Sequence, residues 1–80
     1  MSELKWLKNW LTMRNHGATI SDTTNYIDEE LIDSFGMIEL IEEIESHFGI
    51  RLNERVFEDN TIFTVNGLAT IIKNKLSTKV

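Results

Sequence analysis

Apolar residues recur at helical spacing in three stretches of this chain, separated by segments in which the period is lost. In the clearest stretch, Met37, Leu40, Ile41, Ile44 and Phe48 fall on one narrow stripe when the chain advances about 100° per residue, which is the pattern of a helix burying one face. Phe35 and Ile38 fall off that stripe, on a flank shared with Glu42 and bordered by Ser34 and Glu45, so both are expected to be partly exposed. The helix should be entered at Ser34, because Asp33 and Ser34 are both good N-cap residues, and should end at Gly49. An earlier helix runs from Glu3 to about Asn15, with Leu4, Leu7 and Leu11 on one face, Trp10 beside them and Gly17 as its stop. The last begins at a Thr64 cap and continues through Val65, Leu68, Ala69, Ile71, Ile72 and Leu76. Gly67 in its first turn is unfavourable by helix propensity and marks a place where another helix or a partner comes close. Residues 77–80 are expected to fray.

Between these helices, Ala18 to Ile32 has no clear period, a long loop of the kind that is usually functional or mobile. Ile20, Tyr26, Ile27 and Leu31 are expected to pin it to the core. After an extended turn at Ile50–Asn53, Asn53 should cap a brief helix from Glu54 to about Glu58, with Val56 and Phe57 facing inward. The expected fold is all-α, a four-helix bundle with three longer helices and one short. Eighty residues form a single domain, 1–80, with a small core.

Composition narrows the function. The chain has no cysteine, so any thiol chemistry needs a thiol from outside. It has no secretory leader pattern and no apolar run near 20 residues, and is expected to be soluble, cytoplasmic and monomeric. A net charge of −5 argues against nucleic-acid binding, which needs clustered Lys and Arg. Asp28, Glu29, Glu30, Asp33, Glu39, Glu42, Glu43 and Glu45 fall within residues 28–45 with no base among them. That run is either a solvated helix face or a docking surface for basic partners. Trp6 and Trp10, interleaved with Lys5 and Lys8, raise a membrane-surface reading. Packing is the better account of them, because the acidic remainder would be repelled by anionic lipid. A calcium loop opened by Asp22 fails, since Ile27 would stand where glycine is required.

Ser34 carries the candidate chemistry. At a helix start, unpaired N–H groups and the positive end of the dipole favour an anion, so a phosphate ester is well placed there. As a nucleophile it would need a base within about 3 Å. His47 lies thirteen residues along the same helix, about 20 Å away at helical rise. His16 has no acid at motif spacing to orient it, and two histidines without cysteine make no zinc pattern. The chain reads as a substrate of enzymes and not as an enzyme.

Asp33-Ser34-Phe35-Gly36 followed by Ile38-Glu39-Leu40 resembles the modification site of acyl and peptidyl carrier proteins. The order of helices also matches the carrier-protein bundle, and the resemblance covers about Tyr26 to Leu76. It implies that Ser34 receives 4'-phosphopantetheine from coenzyme A through a phosphopantetheinyl transferase. The terminal thiol of that arm then carries acyl or aminoacyl groups as thioesters between loading and transferring enzymes. Asp33, Phe35, Ile38, Glu39, Glu42 and Glu45 would form the partner-docking face around it. Two residues depart from the family pattern: Phe35 replaces the common leucine, and Glu30 stands where many members have glycine. The Asp-Ser-Phe-Gly form is similar to D-alanyl carrier proteins, which keeps an aminoacyl cargo open beside fatty acyl, polyketide and peptidyl ones. The rival reading is a small acidic protein-interaction domain in which Ser34 is only an N-cap.

Overall fold

Ser2 starts the first helix by accepting a hydrogen bond from the Lys5 N–H at 3.1 Å, satisfying one of the N–H groups that a helix start leaves unpaired. In the computed structural model, which describes residues 2–78, this helix α1 spans Glu3–Arg14. It is followed by α2 at Ser34–Phe48 and α3 at Val65–Thr78. The place expected for a short fourth helix holds two 3-10 turns, Glu54–Glu58 and Asn60–Phe63. The fold is all-α, and among the described residues the β pairing is one isolated bridge, Asn25 to Thr64.

Each helix buries the stripe its sequence marks. Leu7 and Leu11 of α1, Leu40 and Ile44 of α2, and Leu68 and Ile72 of α3 meet in one core. Ile41 and Phe48, at the edges of the α2 stripe, are only half-buried. Trp6 stacks on His47 at 5.1 Å and meets Phe48 edge-on at 5.3 Å, so it packs on α2. Arg14, at the other end of α1, reaches Glu39, and the two helices therefore run antiparallel. Gly49 closes α2 in the left-handed region at φ +68°, its N–H donating to the Glu45 carbonyl at 3.0 Å. The expected fraying from residue 77 is corrected: α3 continues to Thr78, where the Ser77 and Thr78 hydroxyls donate back to the Lys73 and Lys75 carbonyls. Residues 79 and 80 lie outside the described residues.

The long loop is tied down by hydrogen bonds. Tyr26 is fully buried and its hydroxyl donates to the Ile62 carbonyl, while burial holds its phenol above the ordinary pKa. The Tyr26 N–H donates to the Phe63 carbonyl, and the Tyr26 carbonyl accepts from Leu31 and Ile32. The loop also completes α3. Val65 N–H donates to the Thr24 carbonyl at 3.0 Å, Asn66 N–H to the Asp22 carbonyl at 2.8 Å, and Gly67 N–H to the Thr64 hydroxyl at 3.2 Å. With Leu68 N–H on the Thr64 carbonyl, the first four N–H groups of α3 are all satisfied, and the expected Thr64 cap is present.

Between α2 and α3, Asn53 caps the first 3-10 turn through the Arg55 N–H, as expected. Asp59 caps the second, accepting from both the N–H and the hydroxyl of Thr61, which hold its carboxyl below the usual range. Phe57 corrects the sequence reading. Adjacent residues of a 3-10 turn point about 120° apart, so with Val56 buried Phe57 cannot also face in, and it is 44% exposed.

Glu30 has φ +57°, the left-handed region that suits glycine, at the position where it departs from the glycine of many family members. A side chain there costs about 1 kcal/mol. Glu30→Gly should therefore raise stability by at most about 0.5 kcal/mol, since glycine's extra unfolded-state freedom offsets much of the relief. Denaturant melts check this, and a loss of stability would show that the Glu30 side chain contributes more than its backbone strain costs.

Candidate functional site

The cap of α2 belongs to Asp33. Its Oδ1 accepts from the Gly36 N–H at 2.7 Å and its carbonyl from the Met37 N–H at 2.9 Å. Ser34 is the first residue inside the helix, exposed, and its hydroxyl has no hydrogen-bond partner among the described residues. The helix is entered at Ser34 as expected, and the N-cap role that the rival reading gave Ser34 falls to Asp33. The Ser34 and Phe35 N–H groups are likewise without partners among the described residues, so an anion carried on the Ser34 Oγ would sit at the positive end of α2. Gly36 allows this turn to lie close to the loop: a Cβ there would be 3.1 Å from the Ile32 Cβ.

Beside Ser34 opens a cleft of about 450 Å³, lined by Ile27, Ile32, Met37, Ile38, Phe57 and Phe63 together with Asp33 and Ser34. Of these walls the sequence pointed only to Asp33, Ser34 and Ile38 as site residues. Phe57, placed in the core by sequence, is instead part of the cleft wall. An apolar group tethered at Ser34 could enter the cleft at little cost in desolvation.

The acidic face is less uniform than its sequence. Phe35 is 71% exposed and Ile38 60%, as their helical phase predicts. Glu42 and Glu43 are exposed and without ion-pair partners among the described residues. Glu39 is half-exposed and pairs with Arg14 at 3.1 Å. Glu45 is half-buried, and its Oε2 accepts from the Leu52 N–H at 2.9 Å, bracing the turn after α2. Among the described residues no three His, Asp or Glu side chains come together as a metal site. No described helix is long and apolar enough to cross a membrane.

An all-α domain with an uncommitted serine in the first turn of its central helix, an apolar cleft at that serine and an acidic outward face defines a class of small helical domains. Residues 13–72 match the family model described as the phosphopantetheine attachment site. The chain belongs to this family, that of the acyl and peptidyl carrier proteins, and 4'-phosphopantetheine is its covalently attached cofactor. The acyl carrier proteins of Shigella flexneri and Shigella dysenteriae are each 33% identical to it over 57 residues, covering 71% of this chain and 70% of theirs. No solved structure matches the chain.

Proposed function

We propose that Ser34 is the attachment residue, and that this chain holds acyl groups as thioesters and passes them between partner enzymes. The observation that carries the reading is the Ser34 hydroxyl, exposed and unpartnered in the first turn of α2, with Asp33 relieving it of the capping role. When bound, the arm supplies the thiol that this cysteine-free sequence lacks. The chain's own residues position it: the start of α2 receives the phosphate charge, and the apolar cleft shelters what hangs beside it. The cleft suits an apolar acyl cargo, whose chain can be buried among Ile27, Met37 and Phe63.

On this reading the 80 residues act as one monomeric carrier domain, a substrate of enzymes and not an enzyme. A phosphopantetheinyl transferase and the loading and transferring enzymes dock on Phe35, Ile38, Glu39 and Glu42, with Asp33 at the edge. Glu45 contributes charge but is tied to Leu52. Incubation with an acyl-coenzyme A and a transferase should add acyl-phosphopantetheine, and neutral hydroxylamine should then remove the acyl part alone. No adduct, or an acyl group that resists hydroxylamine, would overturn the reading.

A further inference from the structure

α1 contributes one side chain to the α2 surface that the docking face does not need for packing. The Arg14 guanidinium stands 4.7 Å over the Trp10 ring, one helical turn earlier, and its Nη2 lies 3.1 Å from Glu39 Oε1. Both ends of this ion pair are open to water, with side chains 39% and 45% exposed. Glu39 follows Ile38 and lies one turn beyond Phe35, so the pair sits among the exposed apolar residues nearest Ser34. Glu42 and Glu43, the other charged groups beside it on α2, have no in-chain cation among the described residues. The acid closest to Ser34 on the outward face of α2 is thus already held by a cation of the same chain.

We propose that Glu39 is a cation-receiving position on the docking face which Arg14 occupies in the free chain, so that a partner engages it by displacing Arg14 with a guanidinium of its own. The inference rests on the docking reading above. Arg14 holds Glu39 through a single contact, Nη2 to Oε1, whereas a partner's guanidinium can approach the carboxylate with its full planar fork and an ammonium offers only a point charge. Arg14 therefore acts as a competitor in the same molecule: it lowers the attraction of the face for basic surfaces in general and favours partners carrying arginine at this point.

The test is the initial rate of transferase modification with coenzyme A against ionic strength, with circular dichroism confirming the fold of each variant. Arg14→Gln should raise kcat/KM by about two- to fivefold at low salt, the scale of an exposed ion pair, and the gain should vanish at high salt. Lys73→Gln, which removes the same charge from α3, should give a smaller gain, and Arg14→Gln should give none in a Glu39→Gln background. Should Arg14→Gln fail to fold, Arg14→Lys, which keeps the charge but loses the guanidinium, should show a smaller gain in the same direction. An unchanged or lower rate, or a gain that persists without Glu39, would overturn the proposal. Modification of the unaltered chain with no effect at Arg14 overturns this inference alone, whereas no modification of the unaltered chain overturns the carrier reading with it.

Discussion

Gly67→Ala should destabilise the domain by about 1–3 kcal/mol, although alanine is the better helix former by about 1 kcal/mol. The sign follows from what the new methyl would meet. A Cβ at position 67 would lie 1.9 Å from the Thr61 carbonyl oxygen and 2.6 Å from the Thr64 hydroxyl oxygen. The first is backbone, fixed by the Thr64 N–H at 3.2 Å and followed by Ile62, which is fully buried, so it cannot step aside without moving the core. The second is the cap that accepts the Gly67 N–H, and losing it costs about 1 kcal/mol more. An 80-residue domain has about 4–12 kcal/mol in all, so the midpoint of a urea melt should fall visibly. A variant as stable as the unaltered chain would show that the turn before α3 yields and that propensity decides the outcome.

Leu40→Ala and Ile44→Ala should each cost about 2–5 kcal/mol, since both side chains are completely buried and their loss leaves cavities. Ile38→Ala, at a position 60% exposed, should cost well under 1 kcal/mol. The contrast separates the two faces of α2: one holds the domain together and the other is exposed. Equal losses at Leu40 and Ile38 would mean that Ile38 is core and that the docking face is misplaced.

The part of this molecule governed by local pattern was legible in its sequence. α2 is bracketed by Asp33 and Gly49 around a strong stripe, and the exposure of Phe35 and Ile38 follows from helical phase alone. Tyr26 was recognisable as a pin for the loop, but its bond to Ile62, 36 residues away, was not. The cleft left no local signal because its walls come from the loop, α2 and both 3-10 turns. Phe57 was misplaced because one residue's burial in a short turn depends on which neighbour faces in. Gly67 was read as a point of close approach, and it is one, but what approaches is the turn just before the helix. Glu39, Glu42 and Glu45 look alike as acids on one helix. Arg14, on another helix, and the Leu52 N–H, beyond the end of α2, make them different.

The central claim is that Ser34 bears the arm, and intact mass after incubation with coenzyme A, magnesium and a phosphopantetheinyl transferase tests it directly. Ser34→Ala is a clean comparison, because a hydroxyl without a partner should cost little in stability when removed, within about 0.5 kcal/mol, and Asp33 still caps the helix. The unaltered chain should gain one phosphopantetheine and Ser34→Ala none, with matching circular dichroism. An unaltered chain that gains no mass, or a Ser34→Ala variant that gains the same mass, would contradict the account.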